Sequence, residues 1–437
     1  MPRYFRVSPF LLPALLAGAA IVLLLLSLLG PDRKQDSEAI AADLPASQTL
    51  IEQGRYLAIA GNCASCHTAP GGRFMAGGLP FETPFGTLYS TNITPDPATG
   101  IGSWSERDFL NAMRHGVRPG GEQLYPAFPY TAFTKLTNAD VAALYAYFMS
   151  VPAVRFEIPA NDLGFPFNQR ALMVFWKALF FEPGSYQADS SRSQDWNRGA
   201  YLVEALAHCS ACHSPRNALG AESAGLAMSG GEIRDRVGES GQHRPWSAPN
   251  LSASMRGLGL WSQEDLSAYL AEGRNDFLET FGPMNDVIMN STRHLSAADI
   301  DAMSVYLKDL PAIEETASNT PSEETMGRGR TIYNLHCGTC HLPTGEGDPE
   351  MGPRLNRGSL IVQSDNPASM INAILYGPEP PRPALPPKWR EPMEAFRYVL
   401  DDDDIAAVTS FVRNAWENEA GEVTAEQVHK QRVTSGE

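Results

Sequence analysis

The sequence predicts an all-α protein, three tandem helical domains behind an N-terminal transmembrane helix, and three observations carry that prediction. The pentapeptide C-x-x-C-H occurs three times: Cys63-Ala64-Ser65-Cys66-His67, Cys209-Ser210-Ala211-Cys212-His213 and Cys337-Gly338-Thr339-Cys340-His341. Each copy follows a short helical pattern holding Gly and Tyr, and each is followed well downstream by a second helical pattern that closes on an aromatic residue. Finally, an uncharged run from Phe10 to Leu29 lies behind Arg3 and Arg6.

C-x-x-C-H is the attachment sequence for c-type haem. Two cysteines three apart share one side of a helical turn, so both sulfurs can form thioethers with the vinyl groups on one porphyrin edge. The next residue brings an imidazole to the iron. The attachment pairs are Cys63 with Cys66, Cys209 with Cys212 and Cys337 with Cys340, and the proximal ligands are His67, His213 and His341. A zinc ribbon needs its two cysteine pairs about 15–20 residues apart, and these pairs lie much farther apart. A thioredoxin-type C-x-x-C needs no following histidine. The motifs use all six cysteines of the chain, so the expected cofactor is three covalently bound haem c.

The apolar run is long enough to cross roughly 30 Å of hydrocarbon. It exceeds the 7–15 apolar residues typical of a signal peptide, and the small-x-small site Ala39-Ile40-Ala41 lies beyond Asp32-Arg33-Lys34. An uncleaved inner-membrane anchor is therefore favoured over a cleaved signal. With the positive flank inside, the haem domains face the periplasm. The 437 residues suit several domains. The composition, 43% hydrophobic and 19% charged, is that of folded protein. A net charge of −16 argues against a nucleic-acid partner.

The repeat extends beyond the motifs. Gly54-Arg55-Tyr56-Leu57, Gly199-Ala200-Tyr201-Leu202 and Gly329-Arg330-Thr331-Ile332-Tyr333 precede them. Asp140-Val141, Asp299-Ile300 and Asp404-Ile405 open the last helices, which carry Tyr147, Tyr306 and Phe411. Thr137 with Asp140 and Ser296 with Asp299 read as capping boxes; Asp401 to Asp404 place negative charge at a helix N-terminus. A first helix with Gly and a last helix with an aromatic, crossing closely around C-x-x-C-H, resembles the cytochrome c fold. The expected organisation is an anchor (1–30), a tether (31–45) and domains at 46–155, 190–312 and 322–420. An aromatic-rich linker (156–189), an acidic linker (313–321) and a tail (421–437) complete it. The segment from Phe165 to Phe181 reads as a clasp between the first two domains, or as a surface for a partner or the bilayer.

Electron-transfer haems usually carry a second axial ligand, and Met raises the potential. Met284 in Gly282-Pro283-Met284 and Met393 in Glu391-Pro392-Met393 are the natural choices, with Met289 better placed as core. The corresponding first stretch, Tyr125-Pro126-Ala127-Phe128-Pro129-Tyr130, has no methionine. Met75, Met113, Met149, His115 and an open iron position all remain for the first haem. His208 and His336 read as solvated residues beside a haem edge.

Three longer stretches are more specific than the motifs: Pro84-Phe85-Gly86-Thr87-Leu88-Tyr89-Ser90-Thr91-Asn92-Ile93-Thr94-Pro95-Asp96, Trp196-Asn197-Arg198-Gly199-Ala200-Tyr201-Leu202 and Val412-Arg413-Asn414-Ala415-Trp416. On these the chain resembles the three-haem cytochrome c subunit of membrane-bound periplasmic alcohol, gluconate and molybdenum-dependent aldehyde dehydrogenases. The resemblance implies axial Met284 and Met393. It also implies a separate catalytic subunit, with or without a small iron–sulfur subunit, as electron donor, and ubiquinone or a terminal oxidase as acceptor. No catalytic acid, base or nucleophile stands out in the chain, and no nucleotide loop, so the chain is not expected to be catalytic alone. The alternative is a haem peroxidase or a small-gas binding or sensing protein working at an open first haem.

Overall fold

The computed structural model describes residues 47–237, 242–314, 319–378 and 392–433. The predicted anchor and tether lie outside them. Among the described residues no helix is long and apolar enough to cross a membrane.

Three helix crossings organise the fold. Gln48–Ala60 packs on Asn138–Ser150, Gln194–Tyr201 on Ala297–Lys308, and Glu323–His336 on Asp402–Asn414. Each depends on a glycine. A Cβ on Gly54 would lie 1.9 Å from the Ala143 carbonyl oxygen and 2.8 Å from Tyr147 Cβ. On Gly199 it would lie 1.9 Å from the Ala302 oxygen and 2.8 Å from Tyr306 Cβ; on Gly329, 2.2 Å from the Ala407 oxygen and 2.6 Å from Phe411 Cβ. No side chain fits in such gaps. The residue before each glycine reaches the aspartate that opens the opposite helix: Gln53 to Asp140, Arg198 to Asp299 and Arg328 to Asp404.

Two of the predicted capping boxes are half formed. Thr137 accepts from the Asp140 N–H, and Ser296 from the Asp299 N–H. The carboxylates, however, do not return to the cap backbone. Asp299 accepts from the Tyr56 hydroxyl at 2.6 Å, and that hydroxyl accepts from the Ser296 N–H at 3.1 Å. Asp140 accepts from the Tyr201 hydroxyl, which in turn takes the Thr137 N–H at 3.1 Å. Each tyrosine of one crossing thus completes the cap of the other. Complete boxes occur instead at Ser105–Asp108 and Ser262–Asp265. The first two crossings also share one apolar core, in which Leu57, Leu144, Leu206 and Ile300 are buried together. The third has its own, built on Tyr333, Ile371, Ile405 and Phe411.

The all-α expectation needs correcting in two places. Pro80–Thr83 and Gly86–Tyr89 form an antiparallel hairpin joined by Pro84 and Phe85, and Asp162–Leu163 adds a third strand. Gly86 has φ +123°, and a Cβ there would meet the Asp162 oxygen at 2.2 Å. Gly231–Val237 pairs with Gln242–Ala248 in a second sheet. Both are short and lack the clean apolar–polar alternation that would announce a strand.

Part of the aromatic segment is a clasp, as expected. Trp176 is buried, stands edge-on to Tyr130 at 6.5 Å and donates its indole N–H to the Leu219 carbonyl at 2.9 Å. Lys177 donates to the carbonyls of His115 and Gly116 and to Gln123 Oε1. Burial pulls its ammonium down to about 8.

Candidate haem sites

Each C-x-x-C-H motif lies on a short helical turn that directly follows, or nearly follows, the first helix of its crossing: Cys63–His67, Ser210–His213 and Gly338–His341. The three histidines share one arrangement. His67 Nδ1 lies 2.6 Å from the Thr91 carbonyl oxygen, His213 Nδ1 lies 2.8 Å from that of Pro249, and His341 Nδ1 lies 2.7 Å from that of Pro353. A carbonyl only accepts, so Nδ1 holds the proton and Nε2 keeps its lone pair. Burial lowers the pKa of all three imidazoles and thereby favours the neutral form that a metal requires.

All six cysteines are unpaired. Burial is the main cause that pushes the thiols of Cys63, Cys66, Cys209 and Cys337 up to about 12, and it raises that of Cys212 as well. Such thiols stay protonated near neutrality and make poor nucleophiles. Among the described residues no group of three or more His, Cys, Asp and Glu could hold a bare metal ion. A porphyrin supplies its iron with four nitrogens and needs only one or two ligands from the protein. One free imidazole beside two half-buried thiols therefore fits haem and does not fit a zinc site.

A cavity of about 2020 Å³ is lined by Cys63, Cys66 and His67, by Phe109, Met113, Phe128, Phe133 and Leu144, and by His208 and Cys212 of the second motif. Phe128 packs on Phe133 at 5.4 Å. Met284 is half-buried against the shared core and opens helix Met284–Asn290. Met393 is half-buried, its carbonyl oxygen 2.9 Å from where a Cβ on Gly377 would stand; Glu391 lies outside the described residues. Met289 is buried, as expected of core.

Two of the first motif's candidate ligands have counterparts in the second. Met75 and Met228 both have positive φ, 59° and 64°. Both donate their N–H to the hydroxyl that follows the motif histidine, Thr68 or Ser214, and both carbonyls accept, from Ile93 or Leu251. The Met75 main chain is thus framework beneath the histidine loop. Met113 follows its helix-capping serine at the same spacing as Leu270, and both are buried.

His208 is not solvated, contrary to expectation. Its ring stands edge-on to Phe133 at 5.5 Å, and its pKa is lowered by burial against the opposing hydrogen bond to the Gly61 carbonyl. His336 is exposed, as expected.

Sequence reasoning missed the carbonyls that hold the histidines, because any residue supplies one. A repeat does mark two of them. Thr91-Asn92-Ile93-Thr94 and Pro249-Asn250-Leu251-Ser252 place an asparagine after the acceptor, and Asn92 and Asn250 donate to Val154 and Ile313 beyond the last helix of their crossing.

The cytochrome c family model matches residues 51–152 and 326–416. The chain is 41% identical over 380 residues to one of the subunits of nicotinate dehydrogenase from Pseudomonas putida, a match that covers 84% of this chain and spans 30% of that longer protein. It is 38% identical over 407 residues to the gluconate 2-dehydrogenase cytochrome c subunit of Pantoea cypripedii, covering 90% of this chain and 91% of the relative. It is 37% identical over 413 residues to the cytochrome c subunit of the quinone alcohol dehydrogenase of Gluconobacter oxydans, covering 89% and 83%.

Proposed function

We propose that this chain, which belongs to the family of cytochrome c subunits of gluconate and alcohol dehydrogenases, carries three haem c groups in three tandem cytochrome c domains. It would take electrons from a catalytic dehydrogenase subunit and pass them to ubiquinone or a terminal oxidase. In this reading the run Phe10 to Leu29 holds the chain in the inner membrane with its haem domains in the periplasm. The observation that carries the count of three is the threefold imidazole–carbonyl arrangement, which recurs at every C-x-x-C-H motif.

Bound haem supplies a one-electron iron couple. The chain's residues do the rest. Cys63 and Cys66, Cys209 and Cys212, and Cys337 and Cys340 would fix each group covalently. Nε2 of His67, His213 and His341 would ligate the iron, with the ring orientation set by the main-chain acceptor. Met284 and Met393 would be the second protein ligands at the second and third sites. The apolar walls exclude water and keep reorganisation small. At the first site Phe128 stands where a methionine would serve. Met75, Met113, Met149, His115 and an open position all remain for that iron, Met113 lining the same cavity as His67, and carbon monoxide separates an open position from a protein ligand. A Soret shift in about one third of the reduced haem means an open position; no shift means a displaced protein ligand.

The direct test is intact-mass measurement of the purified chain with haem stain on a denaturing gel. Three covalently bound haems are expected. Fewer would overturn the assignment, as would oxidation of alcohols or aldehydes by the chain alone.

A further inference from the structure

Helix Met284–Asn290 opens on the candidate ligand of the second site and has only seven residues, too few to keep its own shape in water. Among the described residues no side chain caps its N-terminus, so its position is set by what it packs against. At its front Gly282 has φ +59°, and a Cβ there would stand 2.8 Å from the Trp246 ring, which presses the entering chain against the indole. Ile288 and Met289 bury its middle. Its far end is fastened to the first motif. Asn290 Nδ2 donates to the Ser65 hydroxyl at 2.9 Å, and that hydroxyl donates to Asn62 Oδ1 at 2.6 Å. Ser291 is buried and donates to the Ala60 carbonyl at 3.2 Å, at the end of the helix that leads into the same motif. Ser65 lies between Cys63 and Cys66, where attachment of the sulfurs would fix its place. The second motif has Ala211 at that position, and its Ser210 turns to Glu222 in its own loop at 2.9 Å.

We propose that Ser65, Asn290 and Ser291 are positioning residues for Met284, through which the first motif holds the helix that presents this methionine to the second site. The inference rests on the axial reading of Met284 above and adds what keeps that side chain in place. Pro283, the residue before it, lines the same cavity as Cys66 of the first motif and Cys212 of the second, so the helix starts beside both. A neutral thioether has no charge to draw it to its partner, and its seat depends on the groups behind it. Here those groups belong to the neighbouring motif, so the ligand of one site is steadied from the other.

The test uses the full haem-loaded chain, oxidised, with intact mass confirming the haem content of each variant. The readout is the far-red charge-transfer absorption between methionine sulfur and ferric iron, and the rate at which added imidazole abolishes it. Met284→His marks the share of that absorption that belongs to the second site, and this share alone is followed. Ser65→Ala, Asn290→Ala and Ser291→Ala are each expected to speed its loss roughly threefold, the worth of one modest hydrogen bond. The Ser65→Ala/Asn290→Ala double variant should match either single one, because both remove the same bond. Tyr56→Phe, which removes a hydroxyl bond between the same two crossings away from this helix, should leave the rate unchanged. Rates equal to wild type in all three alanine variants overturn the positioning role and leave the axial reading standing. Equal acceleration by Tyr56→Phe, or additive effects in the double variant, overturns it too. If Met284→His removes none of the absorption, the axial reading itself fails, and the proposal with it.

Discussion

The first two helix crossings and the third are built from the same parts and joined in different ways. In the first pair Tyr56 reaches across to Asp299 and Tyr201 to Asp140, so each crossing completes the other's helix cap. In the third, the Tyr333 hydroxyl donates within its own motif, to the Leu342 carbonyl, and Arg328 alone meets Asp404. Its links to the second are mostly polar stitches, Ser247 with Ser369, the Trp261 indole to the Gly358 carbonyl, Asn372 to the Pro245 carbonyl and Arg256 to Asp365, together with Leu360, which is buried in the core of the first two. A reciprocal cap with a common core makes one cooperative body of two sites, and the third is appended to it.

That contrast can be broken most severely at the crossing glycines. Gly54→Ala or Gly199→Ala forces a methyl into a carbonyl and is expected to cost roughly 3 kcal/mol. The first two crossings should then melt together in thermal denaturation, whereas Gly329→Ala should lower the third transition alone. Separate melting of the first two would dissolve the paired body.

Asp299→Asn comes next. It leaves the bidentate Arg198 without its carboxylate and weakens the Tyr56 bond, an expected loss of about 2 kcal/mol in denaturant titration. The same carboxylate gives a pH signature. Burial would raise its pKa, but the Arg198 fork and the Tyr56 hydroxyl outweigh burial and leave it lowered. A lowered native pKa stabilises above the ordinary carboxylate value of about 3.9. That contribution is lost as pH falls from there through the native pKa. Wild type should therefore lose more stability than Asp299→Asn as pH falls below about 4.

A finer probe is the tyrosine pair. Tyr56→Phe and Tyr201→Phe are each expected to cost about 1 kcal/mol, and a double mutant whose loss departs from the sum would measure how tightly the two caps are coupled. Smallest of all is Arg328→Ala. Its exposed ion pair with Asp404 should be worth about 0.5 kcal/mol and should fade in high salt.

Local signals were legible in the sequence, and contacts across the fold were not. The motifs, the glycine-to-aromatic crossings and the burial of Met289 follow from spacing and residue type within a few turns of helix. The exchange of tyrosine hydroxyls between caps depends on residues some 240 positions apart, Tyr56 and Ser296, so a local pattern could only suggest closed boxes. The hairpin at Pro80–Tyr89 was hidden because Gly86 serves a close approach by Asp162 and not an alternating face. His208 looked solvated because the ring that covers it, Phe133, comes from another part of the chain.

The acceptor that steadies each motif histidine is main chain at Thr91, Pro249 and Pro353. No point substitution can delete a carbonyl, so this hold on each imidazole is closed to side-chain exchange at all three places. In the proposed three-haem reading, differences between the sites would be sought in the other residues around each ring, Phe128 at the first among them.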